Sequence, residues 1–174
     1  MEIILLRIET VDVEQCWMRY LKAQELMEQG HWPEAHHLFN DVLSHLPMHI
    51  QSATEACSLK PCQFACLLSG LRDASIAQSE IYNRMGLHHD AFSTLNQTYA
   101  LFQFLALESG ELIDRLRSTL VQHTDALLSY MTAFCRAQRN AHWMLELEHV
   151  SHAHAQFSAL HHYSEAAQVA RVLN

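Results

Sequence analysis

Apolar residues recur at spacings of three, four and seven along most of the chain, a period typical of helices that pack through one face. One such stripe consists of Leu112, Leu116, Leu120, Leu127, Leu128, Met131 and Phe134. Residues that end helices divide the chain between the stripes. We therefore predict about seven helices, with bounds near 12–29, 33–46, 61–85, 88–108, 111–138, 141–160 and 163–173.

Glycine and proline mark several of the predicted helix ends. Gly30 and Gly86 each follow a helix and suit the left-handed conformation that ends one. Pro33 suits the first turn of the second helix, and Pro47 is predicted to end that helix. Residues 47–58 are then expected to form a polar linker.

Three further details concern single segments. Gly70 lies inside the predicted helix 61–85, where glycine costs about 1 kcal/mol relative to alanine. Either Thr10 or Asp12 caps the first helix. Residues Met1–Ile8 are mostly aliphatic without a clear period, so they form either an extended arm or an early start of the first helix.

Composition agrees with long helices joined by short connections. The 174 residues include 4 Gly and 3 Pro, about 4% of the chain, against roughly 12% in average proteins. An all-β fold, which needs turn residues about every 8–12 positions, is therefore disfavoured. The length fits one domain, so residues 1–174 are predicted to form a single all-α domain.

Charge, apolar runs and cysteines indicate the environment. A net charge of −8 disfavours non-specific nucleic-acid binding, which needs a basic surface. No apolar run approaches the roughly 18–20 residues of a membrane span, and the start lacks the features of a signal peptide. Five cysteines at irregular spacing do not suggest a disulfide framework. We therefore predict a cytoplasmic protein that binds neither membranes nor nucleic acids.

Three predicted helix–turn–helix junctions share a pattern when they are aligned on an alanine. The junctions are Leu26–Ala35, Tyr82–Ala91 and Phe157–Ala166. In each, a large residue lies nine positions before the alanine, a ring three before it and an acid one before it. Glycine lies five before it in two of the three. The acid suits the first turn of the second helix, and the small alanine allows two helices to cross closely.

These junctions resemble the tetratricopeptide repeat, most clearly where Ala23, Ala35, Phe39 and Pro47 fit the pattern of one unit. The matching units lie at about 16–47, 72–99 and 147–174. The resemblance implies stacked antiparallel helix pairs and a groove that binds protein segments. The aligned alanines are 56 and 75 residues apart rather than about 34, so the array is degenerate, with an extra helix at about 111–138. An unrelated bundle of α-hairpins is the alternative.

In such repeats, the side chains that face the groove come from the first helix of each pair. Carried over by alignment, these positions are Trp17, Tyr20, Gln24, Met27, Asp73, Ile76, Glu80, Asn83 and Arg84. Aromatic and methionine side chains in such a row suit an amphipathic or extended peptide. Alternatively, Trp17 and Tyr20 belong to the core. The Lys and Asn set that holds a peptide carboxylate in some repeat proteins is not apparent, so a C-terminal peptide is not expected.

Cysteine and histidine are the remaining candidates for chemistry. Cys62 and Cys66 lie one helical turn apart and Cys57 is close in sequence, but the spacing is not the CxxC of a zinc site. Many of the 14 histidines form adjacent pairs, which point about 100° apart on a helix and seldom chelate together. Chelation is possible for Glu148 and His152, four apart.

Two Glu-x-x-His strings are present, and di-iron helical bundles use two such strings with two further glutamates. They are Glu34 with His37, and Glu146 with His149. Glu34, however, takes the normally exposed acidic position of a repeat. We expect neither metal nor cofactor, and the histidines are expected to occupy amphipathic surfaces and interfaces.

No Gly-rich phosphate loop, GxSxG or HExxH motif is present, so we expect no enzyme. The function predicted is a non-enzymatic adaptor, chaperone or regulator that binds a segment of another protein, with basic or mixed partners favoured by the acidic charge. Three alternatives stay open. One is a bacterial type III secretion chaperone built from such repeats, and another is a helical metal-binding protein that uses His, Cys and Glu. The third is a homo-oligomer that associates through Met1–Ile8 or the last unit.

Overall fold

The computed structural model of this protein describes residues 11–56 and 58–172, which contain helices and no strand. The helices are α1 (Val13–Glu28), α2 (Trp32–Ala56), α3 (Pro61–Arg84), α4 (His88–Leu107), α5 (Glu111–Gln138) and α6 (Ala141–Val172). The prediction of an all-α fold is confirmed, whereas the predicted count of seven helices is wrong, since the described residues form six. Met1–Ile8, Thr10 and Cys57, on which predictions were made, lie outside the described residues.

Consecutive helices are antiparallel and pack side by side. Arg19 Nη1 of α1 lies 3.3 Å from Asp41 Oδ2 of α2, and His154 Nε2 of α6 lies 3.3 Å from Asp125 Oδ1 of α5. Helix α3 is central, because it packs against α1, α2, α4 and α5. The largest fully buried side chains of the core include Phe39, Phe64 and Phe102. Of the described helices, none combines the length and apolar character needed to cross a bilayer.

The first two predicted elbows are confirmed, and they share one geometry. Gly30 follows α1 with φ at 81°, and Gly86 follows α3 with φ at 76°, both in the left-handed region that favours glycine. At the first elbow the His31 amide donates to the Leu26 carbonyl at 2.8 Å, and the second elbow repeats this bond at 2.9 Å. This bond pattern is the Schellman motif. The aligned alanines of these two elbows, Ala35 and Ala91, are fully buried, as close helix crossing requires.

The start of α1 and the junction between α5 and α6 use residues other than glycine. Asp12 caps α1, since its carboxylate accepts the Gln15 amide at 2.8 Å while the Gln15 side chain accepts the Asp12 amide at 3.2 Å. Between α5 and α6, Arg139 adopts a left-handed conformation with φ at 51°. The Asn140 side chain then accepts the Trp143 amide at 3.0 Å at the start of α6.

The prediction that Pro47 ends the second helix is wrong. Helix α2 continues to Ala56 with Pro47 inside it, so residues 47–56 are helical and not a linker. A proline within a helix costs about 3 kcal/mol or more. Leu46, Ile50 and Ala53 are buried and continue the stripe that begins before Pro47. Burial of each large aliphatic side chain contributes about 1.5–3 kcal/mol, which offsets the cost of the proline.

The predicted break between the last two helices is also wrong. Helix α6 passes without interruption through the aligned segment Phe157–Ala166. Its buried residues facing the rest of the molecule are Trp143, Leu147, Val150 and Phe157. His154 and His161 are largely buried at the intervening positions of the same stripe. His161 stands where the other two elbows have glycine, and the stripe continues through it, so packing favours one long helix.

Candidate partner-binding surface

The α1 part of the predicted groove row packs against α3. Tyr20 is buried, and Gln24 Nε2 donates to its hydroxyl at 2.7 Å. The half-buried Trp17 ring lies beside Tyr20 and covers Gly70, where an added Cβ would be 2.8 Å from Trp17 Cζ3. Met27 is half-buried against the core. The aromatic pair therefore contributes to the contact between α1 and α3, and Gly70 leaves room for the ring.

The α3 part of the row becomes more exposed toward the end of the helix. Asp73 and Ile76 are half-buried, whereas the exposed members are Glu80, Asn83 and Arg84. Arg84 Nη2 pairs with Glu80 Oε1 at 2.8 Å, and the guanidinium lies 4.0 Å from the centre of the Trp32 ring. At this end the row thus presents charged side chains to solvent, whereas at the α1 end its rings are packed against the protein.

Charged groups connect α3 to its neighbours on this same side. Arg72 Nη2 pairs with Asp73 Oδ1 at 2.8 Å, and Arg72 Nη1 donates to Nδ1 of the buried His123 at 3.0 Å. Burial, reinforced by the Arg72 charge, lowers the pKa of His123. Burial and then the Asp73 carboxylate raise the pKa of Tyr20 to about 12. We name this packed side the α1/α3 face.

An open concavity lies on the opposite side of α3, between α2 and α4. This α2/α4 cavity has a volume of about 400 Å³. Its lining residues are Asn40, Leu43, Ser44, Pro47, Gln78, Tyr82, Asp90, Ser93, Thr94, Gln97, Thr98 and Leu101. On α2 and on α4 they recur every three or four positions, so each helix presents one face to the cavity. The predicted groove row does not include this site, although the polar helical stripe Asp90, Ser93, Thr94 and Gln97 was a signal for it.

Gln78 of α3 is a fully buried polar residue in this lining. Its Nε2 donates to His36 Nδ1 of α2 at 2.8 Å, which fixes one side of the amide. Its Oε1 has no hydrogen-bond partner among the described residues. An unpaired buried acceptor costs about 1–3 kcal/mol.

Other groups of the lining are acceptors as well. Asp90, an acid in the first turn of α4, brings a carboxylate to the cavity. Pro47 has no amide hydrogen, so the Leu43 carbonyl cannot receive its normal helix hydrogen bond from residue 47, and both residues line the cavity. An exposed carboxylate and a released carbonyl favour a ligand that is rich in donors or positively charged.

A second, more apolar pocket of about 610 Å³ lies at the first elbow. Its lining residues are Trp32, Pro33, His36, His37, Ile81, Arg84 and Met85. The His36 ring borders this pocket and also lies 5.2 Å from the ring of Tyr82, which lines the α2/α4 cavity. His36 therefore stands between a polar concavity and an apolar one.

Several histidines connect helices, which agrees with the expectation of interface positions. His49 Nε2 of α2 lies 2.6 Å from the carbonyl of Val11, so this nitrogen donates across to the start of α1. His154 Nδ1 of α6 lies 2.7 Å from the Tyr99 hydroxyl of α4. Together with the buried His123, these contacts show that part of the high histidine content serves packing between helices.

The cysteines are divided between surface and core. Cys62 and Cys66 are exposed on α3, and Cys57 of the predicted cluster lies outside the described residues. Burial raises the pKa of the Cys16 thiol, and burial with the nearby Glu146 charge raises that of Cys135 to about 11. Thiols of raised pKa are poor nucleophiles, so the buried pair does not suggest cysteine chemistry.

The side chains that cluster as possible metal ligands are not those of the two Glu-x-x-His strings. Neither the string at Glu34 nor the one at Glu146 belongs to a group of three clustered ligands in the described part of the chain. His161, His162 and Glu165 of α6 form such a group there, with ligand atoms within 4.8 Å of one another.

Comparison with known protein families, with curated proteins and with solved structures found no match to this chain. The resemblance to the tetratricopeptide repeat therefore stays a prediction from the sequence. The fold and the site define an all-helical protein with a polar cavity between α2 and α4.

Proposed function

We propose that this protein is a non-enzymatic interaction module that binds a segment of another protein in the α2/α4 cavity. The observation that carries the proposal is the open α2/α4 cavity of about 400 Å³, whose polar lining includes the exposed side chains of Asp90 and Gln97. A segment bound in an extended form supplies backbone N–H donors for the Asp90 carboxylate and the other accessible acceptors of this lining. The protein would serve as an adaptor, chaperone or regulator in the cytoplasm.

The charge of the protein suggests the chemistry of the segment. The chain carries a net charge of −8, and Asp90 lies at the cavity itself. A segment that contains lysine or arginine pairs with Asp90 and is attracted at long range. Because exposed charges are screened by salt, the association rate should fall as ionic strength rises.

The tetratricopeptide resemblance supports a binding function of the same kind. Two elbows have the same glycine and the same hydrogen bonds, and α3 packs against the helices before and after it, as in stacked helix pairs. We propose that α1–α4 form two degenerate units of this type. The resemblance implies a groove on the α1/α3 face. We place the segment on the other side because Tyr20 is buried on that face.

A display library of unstructured peptides tests the proposal without knowledge of the natural partner. Wild-type protein should enrich peptides that contain lysine or arginine. Ser93→Trp fills the cavity from α4 and should weaken the binding of those peptides by about tenfold or more, as loss of a central contact does. The matched control is Ser118→Trp, at an exposed position of α5 outside the cavity, which should bind as wild type does.

Two further variants separate the cavity from the predicted row. Trp17→Ala and Arg84→Glu change the α1/α3 side and should keep peptide affinity within about threefold, a difference of less than 1 kcal/mol. Loss of binding in these variants, with Ser93→Trp unaffected, would move the site to the predicted row. Failure of the wild-type protein to enrich any peptide would contradict the binding function.

A second candidate function is self-association through α6. This last described helix exposes the large apolar side chains of Met144, Leu145, Leu160, Tyr163 and Val169. Exposed apolar side chains in such number mark a surface that a partner covers, so a second copy of the chain is the proposed cover. Light scattering should show a dimer that Leu145→Glu converts to a monomer. A wild-type monomer at high concentration would exclude this candidate, and deletion of residues 1–8 tests the other predicted interface.

A further inference from the structure

The last turns of α6 bring three metal-binding side chains together. Nδ1 of His161 lies 3.8 Å from Oε2 of Glu165, and Nδ1 of His162 lies 3.9 Å from the same oxygen. All three ligand atoms lie within 4.8 Å of one another. From this geometry we propose that His161, His162 and Glu165 form a binding site for Zn²⁺ or a similar divalent transition metal.

The distances are close to those that a zinc ion requires. Zinc binds imidazole nitrogen and carboxylate oxygen at about 2.0–2.2 Å, usually in tetrahedral geometry. Two ligands at such distances and at the tetrahedral angle lie about 3.4 Å apart. The two histidine–glutamate separations of 3.8 and 3.9 Å exceed this value by about half an ångström, and the two histidine ligand atoms, within 4.8 Å of one another, must also come closer. His162 and Glu165 are exposed, so their side chains can rotate toward an ion.

The structure also determines which nitrogen of His161 takes part. The side chain of His161 is 12% exposed, and its ring lies 6.3 Å from the ring of Phe157. Its Nε2 is buried, whereas its Nδ1 points toward Glu165. One ligand is thus held in place by packing against the body of the protein. His162, whose side chain is 80% exposed, leaves the site open to an ion from solvent.

The donor set indicates the class of metal. Two imidazoles and one carboxylate suit zinc and its neighbours, whereas Mg²⁺ and Ca²⁺ prefer oxygen ligands throughout. Three protein ligands leave a fourth position for water or for a group from another molecule. This site develops the alternative of a metal-binding helical protein. It uses the adjacent pair His161 and His162, although such pairs were expected seldom to chelate together, because Glu165 lies near both rings. It lies on α6, away from the α2/α4 cavity.

Titration calorimetry with ZnCl₂ on metal-free full-length protein tests the site directly. We expect one equivalent to bind more tightly than any further ions. His162→Ala and Glu165→Gln should each weaken this step by about tenfold or more, the order of effect found for groups that support a metal site. Both residues are exposed, so the variants should keep the helical circular dichroism of the wild-type protein. Magnesium chloride should give no such step.

The matched control is His152→Ala, which removes an exposed histidine from the same helix. This variant should keep the first equivalent unchanged. Equal affinity in wild type, His162→Ala and Glu165→Gln would overturn the site, because other histidines would then supply the ligands. Absence of a saturable step in the wild-type protein would overturn it as well. Since no peptide is needed, either result is independent of the proposed binding function.

Discussion

The α1/α3 face and the α2/α4 cavity lie on opposite sides of α3, and their side chains are arranged differently. On the α1/α3 face, the Trp17 ring fills the space above Gly70, and Tyr20 accepts a hydrogen bond from Gln24. In the cavity, no ring fills the gap, and the Oε1 of the fully buried Gln78 lacks a partner among the described residues. Both sides are rich in polar groups.

The difference shows that composition does not distinguish a structural face from a binding face. Polar atoms on the α1/α3 face pair with one another, as Arg72 does with Asp73. Acceptors on the cavity side, such as Asp90, face a volume of about 400 Å³. Substitutions on the first side should therefore affect stability, and substitutions on the second should affect binding. The following experiments test that division, from the largest expected effect to the smallest.

Enlargement of Gly70 should have the largest effect. A Cβ at this position would lie 2.8 Å from Trp17 Cζ3, so Gly70→Val forces the ring or α1 to move. We expect a loss of about 3 kcal/mol in the free energy of unfolding, the upper part of the range for overpacking. Urea denaturation measures it. Trp17→Ala in the same chain should restore part of the loss. Ala133→Val, at an exposed position of α5, is the control and should cost less than about 1 kcal/mol.

The two elbows come next, since each joins a helix of the α1/α3 face to a helix of the cavity. Gly30→Ala and Gly86→Ala should each cost about 1–2 kcal/mol, because alanine is strained at the observed positive φ. No atom blocks an added Cβ at either position, so strain alone acts. Asparagine tolerates this conformation, and Gly30→Asn should cost less than Gly30→Ala. Equal thermal stability of all these variants would contradict the shared geometry.

Protonation of His123 on the α1/α3 face should lower the free energy of unfolding moderately. Since its pKa is lowered in the folded protein, the unfolded chain binds the proton more readily. The stabilising contribution is present above about pH 6.5, the ordinary histidine value, and is lost as the pH falls below it. The effect of one such group cannot exceed about 1.4 kcal/mol per pH unit. Arg72 opposes the charged form and Asp73 favours it.

Urea denaturation at pH 7.5, 6.5 and 5.5 measures this dependence. His123→Gln should flatten it relative to wild type, whereas His152→Gln, which changes an exposed histidine, should not. Identical slopes in wild type and His123→Gln would show that other groups carry the pH dependence.

Cavity substitutions should have the smallest effect on stability. Gln97→Ala and Ser93→Ala remove exposed side chains of α4, so each should change the free energy of unfolding by less than about 0.5 kcal/mol. Peptide affinity should nevertheless fall in both variants, because these side chains line the cavity. A large loss of stability with unchanged affinity would reverse the division between the two sides.

Part of this fold could be predicted from local signals. Gly30 and Gly86 end helices because their backbone enters the left-handed region, which glycine adopts at little cost. Pro47 shows where local signals fail, since burial along α2 outweighs the preference of proline. His161 shows the same for α6, where a stripe that faces α5 continues through the predicted break. Both errors arise from tertiary packing, which a short window of sequence does not contain.

Less of the candidate site than of the fold could be predicted from the sequence. The predicted row selected Trp17 and Tyr20 because rings are common in grooves, but available space depends on the residue opposite, here Gly70. The polar stripe of α4 was visible at helical spacing, and nothing local showed that α2 would face it across a gap. The orientation of the Gln78 amide, with its Oε1 unpaired among the described residues, depends on His36 of another helix.

The three tryptophans are fluorescent probes of unfolding at different places in this protein. Trp17 and Trp32 touch α3 at Gly70 and Arg84, so both report the boundary between the first and second hairpins. Trp143 packs on Phe134 and Phe92, with ring centres 5.0 and 5.4 Å away, and so reports the boundary between the second and third. In a chain whose contacts are mostly between successive helices, these boundaries can open one at a time. Fluorescence of single-tryptophan variants therefore distinguishes stepwise fraying from one cooperative transition.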